Sequence, residues 1–148
     1  MFKVVVWATD GSQSADDALA LATGLAKSSG AKLHVVHVDE LVPGRAGSSH
    51  RSVLEEDIER DLGLKVKELK DEGIDATLET PKIVEGGVAH AIADLARDTG
   101  ADIIVVGTRG LGPVAGLLLG SVTHRLLHIA PCPVLTVPSS DRQRTSIV

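Results

Sequence analysis

Five glycines fall within residues 107–120, "GTRGLGPVAGLLLG", and Ser121 follows them. Ordered glycine costs backbone entropy, so such a cluster points to a turn or to a close approach that a Cβ would block. The chemistry it suggests is the holding of an anion by main-chain amides. Two phosphate patterns can be tested against it. The P-loop needs G-x-x-x-x-G-K-[ST]; Gly107 and Gly112 have that spacing, but Pro113 stands where lysine is required. The dinucleotide fingerprint G-x-G-x-x-G fails at Ala115, and it belongs after a first strand rather than a fourth. What remains is Gly107-x2-Gly110-x9-Gly120-Ser121.

Other residues could carry chemistry. Asp10-Gly11-Ser12 can be a ligand-facing loop or only a turn and a helix cap. Arg109 could touch a phosphate or be a solvated loop charge. His34 and His37 lie on opposite faces of one strand and cannot form a simple ligand pair. His124 and His128 have the i, i+4 spacing of a metal pair, without a third ligand or a glutamate between them. Cys132, the one cysteine, sits between Pro131 and Pro133 and reads as a buried structural thiol.

The elements that must position these residues follow from periodicity. Lys3 to Thr9, "KVVVWAT", is β-branched and almost continuously apolar, as in a strand buried on both faces. Ser12 or Ser14 can cap a helix running to about Ser29, with Ala18, Leu21, Ala22 and Leu25 inward and Gly30 ending it. Lys32 to Val38 is a second strand. Residues 39–51 read as a loose loop. A second helix spans Ser52 to Glu72, with Leu54, Ile58, Leu62, Val66 and Leu69 on its apolar face and "EEDIER" on its solvated one. A short strand over Ala76–Thr80 and a helix over Val88–Thr99 come next, the latter with Ile92, Leu95 and Ala96 inward. "DIIVVG" is the fourth strand, Ser121 to Ile129 the fourth helix, and "PVLTVP" the fifth strand. Strict alternation implies an α/β fold: one open, doubly wound sheet of five mainly parallel strands with about four helices. Residues 1–138 form the single domain, and residues 139–148 a polar C-terminal tail. In such a sheet a ligand is expected beyond the carboxyl ends of the strands, and Gly107 closes the fourth strand.

Composition narrows the classes. With 148 residues, 43% hydrophobic and 24% charged, the chain suits one soluble domain. Phe2 and Trp7 are its only aromatics besides histidine, which removes the stacking platforms of a single-strand binder, and a net charge of −5 argues against a nucleic-acid partner. There is no apolar run near 18 residues and no leader pattern in "MFKVVVWATDG", so the expectation is a cytoplasmic protein with no membrane partner.

The spacing Gly107-x2-Gly110-x9-Gly120-Ser121 resembles that of the universal stress protein family in its ATP-binding branch, G-x2-G-x9-G-[ST]. The resemblance runs along nearly the whole chain: "ATDGS" after the first strand, "HVVHV" as the second, "DIIVVGTRGLG" at the fourth, and "LLLGSVTHRLLHIAPCPVLTV" to the fifth. It implies an adenine nucleotide alpha hydrolase-like fold and ATP as ligand, with Mg2+. Ala8, Thr9, Asp10 and Val38 would hold the base side, with Val106 alongside. Gly107 would let the chain turn beside a ribose, and Arg109 and Gly110 would approach phosphate. Gly120, Ser121, Val122 and Thr123 would receive the phosphates at a helix N-terminus, where free amides and the helix dipole favour an anion. Asp10 would accept hydrogen bonds or orient the metal. The family also implies a homodimer through the fifth strand, about Pro133–Val137, and a role in stress response and signalling. Two alternatives stay open: a slow ATP hydrolase, for which no Walker lysine is present and no base beyond Asp10 is evident, and a cyclic AMP-binding relative. Trp7 departs from the aliphatic residue usual in the first strand and is expected to pack near the base. The third helix lacks the proline that often opens it.

Overall fold

The structure is a computed structural model, and it describes residues 1–84, 86–108 and 119–139, with the side chain of Gln13 left aside. Nine main elements alternate: β1 (Val4–Ala8), α1 (Gln13–Ser29), β2 (Lys32–Val36), α2 (Val53–Asp71), β3 (Ala76–Glu79), α3 (Val88–Thr99), β4 (Ile103–Gly107), α4 (Ser121–Ile129) and β5 (Val134–Val137). The five strands form one sheet in the order β3-β2-β1-β4-β5, and every pairing in it is parallel. The order reverses at β1, whose neighbours β2 and β4 lead off in opposite directions. A ligand crevice belongs there, outside the carboxyl ends of β1 and β4.

Side-chain alternation along the strands feeds two cores. Val5, Trp7, Leu33, Val35 and Val105 face α1 and α2, while Val6, Ala8, Val36, Ile104 and Val106 face α3 and α4. Both faces are covered, which is why these strands read as unbroken apolar runs. Helix α1 meets the sheet through Ala15, Ala18, Ala22 and Ala26, a stripe so slim that its backbone lies close to the strands. Trp7 fills that layer. Its side chain is fully buried, and its indole N–H donates to the Ala15 carbonyl at 2.9 Å. It is a core residue with its one donor used, not a surface offered to a base.

Helix limits match the sequence closely. Ser12 caps α1 by accepting from Ala15 N, and Ser52 caps α2 by accepting from Glu55 N. Gly30, at φ 65°, ends α1 in the left-handed conformation. Three expectations are corrected. Leu21 and Leu54, assigned to inward faces, are 49% and 57% exposed. In α1 the buried contact is the alanine stripe, with Leu19 and Leu25 partly buried against the same core, and Leu21 stands outside it. Residues 39–51 are not a loose loop: Asp39–Glu40 pairs in parallel with Lys82–Ile83, and Val42–Pro43 forms a small antiparallel ladder with Ser49–His50. Finally, β2 leaves the sheet at Val36, two residues before the apolar run ends. Among the described residues no helix is long and apolar enough to cross a membrane.

Candidate functional site

At the reversal point three chain ends converge: the turn after β1, the continuation of β2, and the start of α4 beyond β4. The turn after β1 is internally bonded. Thr9 N–H still donates to Val36 O at 2.9 Å, the last bond of the β1–β2 ladder. Asp10 Oδ1 then accepts from Ser12 N at 2.9 Å, and Thr9 Oγ1 accepts from Gly11 N at 3.1 Å. Gly11 has φ 81°, a left-handed conformation that glycine takes without cost. Asp10-Gly11-Ser12 is thus both a turn and a cap, and Asp10 is only half-buried at its rim.

Beyond β4, glycine is needed for packing. A Cβ at Gly107 would lie 2.6 Å from Ser14 O and 2.7 Å from Ser14 Oγ, so the first turn of α1 sits hard against this strand end. Thr108 is buried; its N–H donates to Val137 O and its carbonyl accepts from Gly120 N at 2.6 Å. The two ends of the glycine-rich segment are therefore pinned together. Arg109 and Gly110 lie outside the described residues.

Gly120 is the N-cap of α4, with φ −66° and ψ 158° and no side-chain cap bond. Any residue can adopt that conformation, so the backbone gives no reason for glycine here. The helix supplies no partner for its leading amides, and its first turn contains no acidic residue, unlike α1 with Asp16 and α2 with Glu55 and Glu56. No acidic side chain of α4's own first turn offsets the positive end of its dipole. Ser121 is exposed, Val122 half-buried, and Thr123 buried with its hydroxyl donating to Gly107 O at 2.9 Å. That bond ties α4 to β4 and uses the Thr123 proton. Ala8 and Val106 are register partners, both buried under the crevice.

The continuation of β2 is unlike a regular strand. His37 N donates to Glu79 O and Asp39 N to Pro81 O, both on the β3 side. Alternation turns the Val38 amide and carbonyl to the β1 side, past the point where β1 has turned away. Sequence reasoning missed what surrounds this residue. His37 Nδ1 lies 2.9 Å from Thr9 O, and its Nε2 lies 2.5 Å from Glu55 Oε2. Arg51 bridges the fully buried Asp39 and the half-buried Glu59, and these two carboxylates hold its guanidinium pKa above the usual value. The partners lie far apart in the sequence; the one available signal was a histidine placed directly beside Val38.

The remaining candidates are accounted for locally. His34 Nδ1 lies 3.2 Å from Glu79 Oε1. His124 and His128 meet edge to face, with ring centres 5.0 Å apart. No cluster of three metal-ligating side chains exists among the described residues. Cys132 is half-buried and unpaired, and burial raises its thiol pKa. The site thus offers main-chain donors and a helix end. Beside them lies the largely buried His37–Glu55 pair. The donors and the helix end suit the binding of an anion and of a flat polar group.

Comparison with known proteins agrees with this architecture. The universal stress protein family model matches residues 1–138. A universal stress protein of Thermus aquaticus is 39% identical over 138 residues, covering 93% of this chain and 99% of its own. A universal stress protein solved in complex with cAMP is 30% identical with a TM-score of 0.61, over 94% of this chain and 98% of its own. The universal stress protein of Archaeoglobus fulgidus, solved in complex with dAMP, shares the fold at 24% identity and a TM-score of 0.66, over 92% and 97% of the two chains. The fold is that of universal stress protein domains, adenine nucleotide alpha hydrolase-like.

Proposed function

This chain belongs to the universal stress protein family, and from that premise we propose that it binds ATP with Mg2+ in the crevice at the β1–β4 reversal point. The base lies between Ala8, Thr9 and Val38, with Val106 beneath. The ribose passes Gly107 and Asp10. The phosphates run to Arg109, Gly110 and the amides of Gly120, Ser121, Val122 and Thr123. Asp10 would hold the Mg2+ ion, which would supply positive charge to offset that of the phosphates. The observation that carries this reading is the start of α4: an uncapped N-terminus, with no acidic residue in its first turn and a glycine its backbone does not require. Such an end accepts an anion, and a Cβ at position 120 would project where the anion approaches. Two related structures support an adenine nucleotide in general, because cAMP and dAMP share the base.

On this reading the protein is a nucleotide-dependent stress-response and signalling module of the cytoplasm, and it works as a homodimer joined along β5. Cyclic AMP is the second ligand to test, since one relative is solved with it. Gly120→Val decides whether the phosphate site is placed correctly. We expect it to remove ATP binding in calorimetric titration while the circular dichroism spectrum and thermal midpoint stay near those of the parent. Retained affinity in a folded variant would refute the placement.

A further inference from the structure

A parallel ladder between β1 and β2 would continue with two bonds after Thr9 N→Val36 O: Val38 N–H to Thr9 O, and Gly11 N–H to Val38 O. Neither forms. Thr9 O instead receives His37 Nδ1 at 2.9 Å, and Gly11 N–H turns to Thr9 Oγ1 at 3.1 Å. A carbonyl only accepts, so Nδ1 carries the hydrogen. The ring is gripped from its other side by Glu55 of α2, at 2.5 Å from Nε2. His37 is 3% exposed, so this is a fixed arrangement rather than a surface contact. The consequence falls on Val38. It is 7% exposed, and among the described residues neither its N–H nor its carbonyl has a hydrogen-bond partner. Buried main-chain donors are rarely left unpaired, because an unmade bond leaves the group's desolvation unrepaid. One peptide edge is thus kept open, donor beside acceptor, in the crevice.

We infer that His37 is the positioning residue that keeps the Val38 edge open for a base: by occupying the Thr9 carbonyl it denies Val38 N–H that acceptor, while the turn after β1 holds Gly11 N–H away from Val38 O. Glu55 holds the ring in place. The inference deepens the nucleotide reading and rests on it for the identity of the occupant, an adenine whose ring N1 accepts from Val38 N–H while its 6-amino group donates to Val38 O. The diverted ladder itself needs no ligand.

His37→Leu removes the ring donor and leaves Thr9 O free for Val38 N–H. His37→Asn places an amide N–H about where Nδ1 stood and restores the diversion. Amide hydrogen exchange of ligand-free protein is read first. In the parent, the Val38 amide exchanges faster than those of His37 and Asp39, which hold bonds to Glu79 and Pro81. In His37→Leu it slows to their level, and in His37→Asn it stays fast. Titration with ATP and with 1-deaza-ATP, which lacks the N1 acceptor, is read second. The parent prefers ATP by about tenfold, the worth of one hydrogen bond, His37→Asn keeps that preference, and His37→Leu loses it. Unchanged Val38 exchange in a folded His37→Leu would overturn the inference. If that variant does not fold, the parent decides alone, since a Val38 amide as protected as its two neighbours would overturn it too. A parent that binds no ATP while Val38 behaves as described would refute the nucleotide reading and uphold the role of His37.

Discussion

At the scale of single residues, the main chain's polar groups dictate more than charge does. Asp102, at the start of β4, accepts from Val4 N at 2.9 Å and Lys3 N at 2.6 Å and so anchors the beginning of β1. These two donors, Val4 first, hold its carboxyl below the usual carboxylate range. A carboxyl depressed in the folded state binds its proton more readily when unfolded. Its contribution is therefore whole above the ordinary value of about 4 and drains away as the pH falls through and below it. We expect Asp102→Asn to be less stable than the parent at neutral pH in urea denaturation, with the gap narrowing as the pH is lowered below about 4. A gap that widened on acidification would contradict the assignment. Legibility differs between such residues. Ser12 could be named as a candidate cap, beside Ser14, because a cap acts on its own helix, three residues away. His37 could not, because its partners Thr9 and Glu55 are 28 and 18 residues distant and meet it only once β2 has been placed beside β1.

At the scale of elements, periodicity located the strands and helices because each is amphipathic or buried over enough residues to declare itself. It failed where an element is short or its neighbour narrow. The two-residue ladders within 39–50 carry no periodic signal, and their bonds are made across the chain to Lys82–Ile83 and within a small hairpin. Leu21 was misplaced because the fully buried contact of α1 is a narrow alanine stripe, beside which only Leu19 and Leu25 are partly buried. Gly107 shows how one position can serve an element and a ligand at once. Its glycine is demanded by the approach of α1 at Ser14, whatever lies in the crevice. Gly107→Ala is expected to cost about 1–3 kcal/mol in urea denaturation, the range for an overpacked core, because the obstructing atoms are backbone. Unchanged stability would mean that α1 moves aside freely.

At the scale of the whole molecule, sheet order has a consequence for assembly. Among the described residues β5 is an edge strand. Ile104 N donates to Pro133 O and Thr108 N to Val137 O, so the backbone of Val134 and Thr136 faces outward, away from β4. An open edge with half-buried Val134 and Leu135 beside it is a natural place for a second copy to join, and it supports the proposed homodimer. Thr136→Pro removes one outward donor without touching the bonds to β4. It should shift the protein toward monomer in analytical ultracentrifugation at equal concentration, while the spectrum of the fold is kept. An unaltered sedimentation profile would place the contact elsewhere.

The central claim is that the reversal point of this sheet is an adenine nucleotide site. Its most direct test is calorimetric titration of nucleotide-stripped protein with ATP and magnesium, with the phosphate-site variant Gly120→Val beside it. Saturable binding at about one ATP per chain in the parent, and none in the folded variant, is the result expected from one crevice per chain. No saturable heat from the parent, or equal binding by both proteins, would contradict it.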